Sequence, residues 1–160
     1  MQVEAVYAGT FDPVTFGHID LIKRGAKIFD SLVLAVAESR GKETLFSTGE
    51  RVEMLVEAVK KLEDVEVDSF DGLLVDYLKS RGAGVVLRGL RAVSDFEYEL
   101  QMVLTNRKLA PGIETVFMMP REEYSYISSS ILKEIFSMGA DVRQFVPSFV
   151  VKKLSEKLKK

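Results

Sequence analysis

Apolar residues gather in five short runs, Val3–Ala8, Leu32–Ala37, Val65–Phe70, Val85–Leu87 and Thr115–Met119, and most of these are continuous rather than alternating. Continuous runs of strand length are expected where a strand is buried on both faces, as in parallel sheets. Between the runs the pattern takes on the period of a helix. Helical stretches fall at about Gly17–Phe29, Thr48–Leu62, Leu73–Arg81 and Ser94–Leu109, each long enough for the right-handed crossover that joins parallel neighbours. Two more, near Ser129–Ser137 and Pro147–Lys159, follow the last run. The alternation predicts an α/β fold: a doubly wound, five-stranded parallel sheet of Rossmann-like type, with C-terminal helices.

With 160 residues and no repeat, low-complexity tract or long linker, the chain reads as one domain over 1–160. Gly82, Gly84, Gly89, Pro111-Gly112 and Gly139 punctuate elements rather than separate domains. The 22 basic and 24 acidic residues leave a net charge of −2, so neither nucleic acid nor an anionic membrane is an expected partner, and any anion site must be local. Cysteine is absent, which removes disulfides, thiolate nucleophiles and cysteine-ligated metals together. The opening Met1-Gln2-Val3-Glu4 lacks the pattern of a secretory leader, and no run approaches the ~18 apolar residues that cross a bilayer. A cytoplasmic protein is expected. The tail, with Val150, Leu154 and Leu158 among lysines, reads as a packing helix with a solvated face rather than a membrane-surface helix.

Neither G-x-G-x-x-G nor G-x-x-x-x-G-K-[ST] occurs, so the usual dinucleotide fingerprint and the P-loop are missing. Four polar segments nonetheless fall just after successive strands, where open α/β sheets bind ligands. They are the loop from Thr10 to His18, the Arg40-Gly41-Lys42 turn, the run Arg88-Gly89-Leu90-Arg91, and the stretch Tyr124-Ser125-Tyr126-Ile127-Ser128-Ser129-Ser130. His18, the one histidine in the chain, stands at the predicted start of the first helix, where exposed N–H groups attract anions. Arg88 and Arg91 flank a glycine, a spacing that lets two guanidinium forks converge on a polyanion. Lys42 could supply a mobile point charge, and Ser128–Ser130 stand where a helix begins, as caps or as phosphate ligands. Asp95 and Glu97 suit the start of their helix electrostatically; Glu99, further in, serves either that helix or a nucleotide ribose.

The strings Ala5-Val6-Tyr7-Ala8-Gly9-Thr10-Phe11-Asp12-Pro13 with Gly17-His18, Arg88-Gly89-Leu90-Arg91-Ala92-Val93-Ser94-Asp95-Phe96-Glu97-Tyr98-Glu99, and Ile127-Ser128-Ser129-Ser130 together resemble the bacterial phosphopantetheine adenylyltransferases. The first motif, T-x-x-x-x-x-x-G-H, is shared across the nucleotidylyltransferase superfamily, whereas the R-G-L-R-A-x-x-D-F-E-Y-E run selects this family. The resemblance implies ATP binding by Thr10, Phe11 and His18, by Gly89, Leu90, Arg91 and Glu99, and by Tyr124 to Ser130. It implies a catalytic set of His18, Lys42 and Arg91, and a substrate site for 4′-phosphopantetheine at Thr10, Lys42, Leu74 and Arg88. It further implies Mg²⁺ as cofactor with no protein metal ligands assigned, coenzyme A as a feedback inhibitor, and a homohexamer of paired trimers. Ala8 and Phe16 depart from the family's usual proline and asparagine, both at spacer positions.

That chemistry suits the residues present. A phosphate monoester has a second pKa of about 6 and is already largely ionised at neutral pH, so the nucleophile needs no activating base. The transfer needs in-line alignment and positive charge around the α-phosphorus. Two alternatives stay open at this stage: a relative acting on a mononucleotide or glycerol phosphate, and a non-catalytic nucleotide-binding module on the same sheet.

Overall fold

In a computed structural model, the described residues are 2–38, 41 and 43–158, with only the backbone described at 93 and 94. The five strands form where the apolar runs lie: β1 Glu4–Gly9, β2 Ser31–Ala37, β3 Val65–Phe70, β4 Val85–Gly89 and β5 Glu114–Met118. All pairings are parallel, in the order β3-β2-β1-β4-β5. The chain winds outward from β1 to β3, then crosses back to place β4 on β1's other side. The crevice between β1 and β4 is therefore the point where the winding reverses.

Strand pleating explains why the runs are continuous. Ala5 and Tyr7 of β1, with Leu32, Leu34 and Val36 of β2, face one core, while Val6, Ala8, Val33 and Ala35 face a second. Helices α1 Phe16–Gly25, α2 Thr48–Val59, α6 Ser129–Ser137 and α7 Ser148–Leu158 contribute to the first core. The second is covered by α3 Leu74–Arg81, through Val75 and Leu78, and by the turn after α4 Val93–Leu109, through Ala110 and Ile113. The tail behaves as a packing helix: Val150 and Leu154 are fully buried, and Lys157 pairs with Glu50 at 2.8 Å. Among the described residues no helix is long and apolar enough to cross a membrane.

The helical patterns overrun two real helix ends. α1 stops at Gly25, yet Phe29 still packs on the core because the hydrogen bond from its N–H to the Gly25 carbonyl continues the turn. Leu62 follows α2 in the same way through Val59. A single turn, α5 Glu122–Ser125, is too short to leave a periodic trace.

Candidate active site

A cavity of about 540 Å³ opens at the carboxyl ends of β1 and β4. Its floor is Tyr7, Ala8 and Gly9 of β1 with Arg88 and Gly89 of β4. Thr10, Phe11, Asp12 and Thr15, then Gly17, His18 and Leu21 of α1, form one wall. Arg91 with Asp95, Tyr98 and Glu99 of α4 forms another, and Pro120, Tyr124 and Ile127–Ser130 with Lys133 of α6 close the third side. Glu43 and Thr44 stand at the remaining rim.

His18 is held by the cap of its own helix. Thr15 is the N-cap of α1: its hydroxyl accepts from the His18 backbone N–H at 3.4 Å, and its own backbone N–H donates to His18 Nδ1 at 3.0 Å. An amide can only donate, so Nδ1 carries no proton and the neutral imidazole carries its hydrogen on Nε2. Phe11 meets the ring edge-on with centroids 5.0 Å apart. Burial, reinforced by the Arg91 charge, holds the His18 pKa down to about 4. At neutral pH the ring is an uncharged hydrogen-bond donor.

Each described cation of the pocket already has a carboxylate. Arg88 forks onto Glu99, Nε donating to Oε2 at 2.8 Å and Nη2 to Oε1, while Nη1 donates to the Ala8 carbonyl at 2.7 Å. Burial opposes the Arg88 charge, but Glu99 outweighs it and holds the guanidinium above its ordinary pKa. Arg91 pairs with Asp95 at 3.2 Å, which also accepts the Arg91 backbone N–H, so Asp95 serves the start of α4 as expected of an acidic residue there. Lys133 pairs with the 4%-exposed Asp12 at 2.6 Å. With His18 neutral, the described lining counts three cations, Arg88, Arg91 and Lys133, against four carboxylates, Asp12, Glu43, Asp95 and Glu99. Beside these paired cations, backbone N–H groups at helix starts add positive potential for a polyanion. The starts of α1 and α6 both supply them, and Ser128 caps α6 by accepting the Ile131 N–H at 3.1 Å.

The pocket gathers Thr10, Phe11, His18, Arg88, Gly89, Arg91, Glu99, Tyr124, Ile127, Ser128, Ser129 and Ser130. Leu90 stands beside the lining, its N–H bonded to the Met118 carbonyl at 3.0 Å. Ser125 bonds the Glu122 carbonyl, Tyr126 packs edge-on against Phe145 at 6.1 Å, and Leu74 joins the second core at the start of α3; none of the three belongs to this lining. Lys42 and Arg40 lie outside the described residues. Glu99 is engaged by Arg88, an ion-pair partner named in neither the helix-start nor the nucleotide reading of this residue. Sequence reasoning missed Lys133 and Asp12. Lys133 follows Ser129 by four residues and so shares its helix face, a signal that was available.

A parallel sheet with a polar pocket at its reversal point, walled by two helix starts, is the ligand-binding arrangement of open α/β domains. The cytidylyltransferase-like family model matches residues 6–135. The chain is 54% identical over 156 residues to the phosphopantetheine adenylyltransferase of Caldanaerobacter subterraneus subsp. tengcongensis, covering 98% of each chain. It is 52% identical over 156 residues to that of Dictyoglomus thermophilum, covering 98% of this chain and 95% of the relative. Among solved structures, the nicotinic acid mononucleotide adenylyltransferase of Plasmodium falciparum complexed with NaAD shares the fold with a TM-score of 0.71 at 13% identity, covering 98% of this chain and 96% of that one. The bifunctional NMN adenylyltransferase/ADP ribose pyrophosphatase of Francisella tularensis does so with a TM-score of 0.74 at 12% identity, covering 100% of this chain and 50% of that one. The chain belongs to the cytidylyltransferase-like family and, within it, to the phosphopantetheine adenylyltransferases, which makes it a nucleotidyltransferase enzyme.

Proposed function

We propose that the protein transfers the adenylyl group of ATP to 4′-phosphopantetheine, forming dephospho-coenzyme A and releasing pyrophosphate. A phosphate oxygen of the acceptor attacks the α-phosphorus, the new P–O bond forms in line with the breaking bond to pyrophosphate, and no proton need leave the nucleophile. The observation that carries this reading is the tautomer of His18: a neutral ring fixed with Nε2–H free can donate to an α-phosphate oxygen as charge builds there. Arg91 reinforces it from the turn just before α4, and Lys42 has the third catalytic role on family resemblance. Thr10, Lys42, Leu74 and Arg88 are assigned to phosphopantetheine on the same ground. ATP is assigned to Gly89, Leu90, Arg91 and Glu99, and to Tyr124–Ser130 with the start of α6.

Among the described residues no cluster of three His, Asp or Glu side chains could hold a metal ion. Asp12 is already occupied by Lys133 and two backbone N–H groups. Mg²⁺ belongs to the same proposal, as an ion that ATP would bring on its phosphate oxygens and that would neutralise developing charge. A cytoplasmic location and feedback by coenzyme A belong to the same reading. So does a homohexamer: α4 exposes Phe96, Leu100, Met102, Leu104 and Leu109, an apolar surface suited to burial against another subunit. Pyrophosphate release with ATP, Mg²⁺ and phosphopantetheine, compared with nicotinate mononucleotide and glycerol 3-phosphate as acceptors, tests the reaction. Equal or faster release with either alternative acceptor would overturn it.

A further inference from the structure

Arg51 is 1% exposed, a cation on the core face of α2 in phase with Met54, Leu55 and Val59. Burying a guanidinium is costly unless its donors are matched. Here they are. Nη1 donates to the Thr10 carbonyl at 2.8 Å and the Ala37 carbonyl at 2.9 Å, Nε to the Phe46 carbonyl at 3.2 Å, and Nη2 to Thr48 Oγ1 at 3.0 Å. Thr10 follows β1 and Ala37 ends β2, while Phe46 precedes α2, so one planar fork joins three segments that meet at the carboxyl edge of the sheet.

Asp12 grips the same loop from the other side. Its carboxylate accepts the Leu45 and Phe46 N–H groups, both at 2.9 Å, so the N–H of Phe46 is bonded to Asp12 and its carbonyl to Arg51. Glu43 and Thr44, immediately before this clamp, line the pocket. Between Thr10 and Asp12 stands Phe11, at φ +50°, a conformation that a side-chain-bearing residue keeps only when its surroundings over-determine it. Its ring is the one that meets His18.

We infer that Arg51 is a positioning residue for the acceptor side of the pocket: its fork sets the rim at Glu43–Phe46 against Thr10 and Asp12 without touching substrate. The inference rests on the proposed reaction, in which Thr10 and Lys42, the residue preceding this rim in the sequence, are assigned to the phosphate acceptor. A lysine at position 51 keeps the charge but reaches the carbonyls with one nitrogen, so the planar arrangement is lost. In the pyrophosphate-release assay, Arg51→Lys is expected to raise the KM for phosphopantetheine about tenfold, the scale for a displaced positioning contact, while the KM for ATP stays within about twofold. Loss of folded enzyme alone would lower kcat at unchanged KM, and that result, or an equal rise in both KM values, overturns the inference. Turnover by the wild type with phosphopantetheine checks the reaction separately. If neither Arg51→Lys nor Arg51→Met folds, amide hydrogen exchange on the wild type decides, while a wild type that does not turn over removes the reaction on which the inference rests. Protection of Leu45 and Phe46 comparable to that of β2 supports a fixed rim, and rapid exchange there refutes it.

Discussion

The fixed tautomer of His18 can be tested directly, because a chain with one histidine gives an imidazole spectrum with no assignment problem. The groups facing the ring are Phe11, Tyr7, whose phenol burial keeps protonated, and the Arg91 cation. Holding the pKa near 4 rather than the usual 6.5 corresponds to roughly 3 kcal/mol against protonation of the empty pocket. The sign for stability follows: the folded-state pKa lies below the unfolded one, so this contribution is complete above about pH 6.5 and is lost as pH falls toward 4. Nitrogen-15 spectra of the ligand-free protein are expected to show a bare Nδ1 and a protonated Nε2 from pH 8 down to about 5. His18→Ala should lower kcat by roughly 10²–10³, the scale for one lost transition-state donor, with much smaller changes in substrate binding. A titration midpoint between 6 and 7, or a hydrogen on Nδ1, would refute the argument from the Thr15 amide. Ligand-free protein is required, since bound phosphates would favour the protonated ring.

Three other outcomes are expected. Arg88→Met strands the largely buried Glu99, which should cost about 3–5 kcal/mol and lower Tm by roughly 10 °C; adding Glu99→Leu should recover much of the loss, and melts showing simple additivity would contradict the pairing. Gly89→Ala puts a Cβ 2.6 Å from Leu21 Cδ1, so Leu21 must move within the pocket lining; denaturant unfolding should show about 1–3 kcal/mol of destabilisation, and an unchanged midpoint would mean the leucine swings away freely. If the proposed homohexamer buries the apolar surface of α4, Leu104→Asp should reduce the molar mass in light scattering; a mass unchanged from wild type would count against that surface as an interface.

The fold was legible because the central strands β1, β2 and β4 pack on both faces, and that leaves continuous apolar runs such as Leu32–Ala37 with the helical period between them. Helix ends were less so: Phe29 and Leu62 keep the apolar phase through turns that are no longer helical. The loops that form the pocket could be found from their place after strands. Their internal partners could not, since Asp12 bonds residues 33, 34 and 121 positions away. Arg51 did leave a trace, a cation in phase with Met54 and Leu55, but only the folded sheet edge shows which carbonyls it serves. Leu74 and Leu90 carry no local polarity, so their assignment came from family resemblance and not from any chemistry legible in the residues themselves.

The internal pairing of Arg88, Arg91 and Lys133 also bears on which solutes the enzyme can ignore. An anion that engages one of these side chains must compete with the carboxylate already paired to it. Chloride or a simple organic acid gains little from that exchange, whereas a terminal phosphate brings nearly two charges and three acceptor oxygens. Resident counterions thus favour, at these three side chains, an anion of high charge density over a monovalent one.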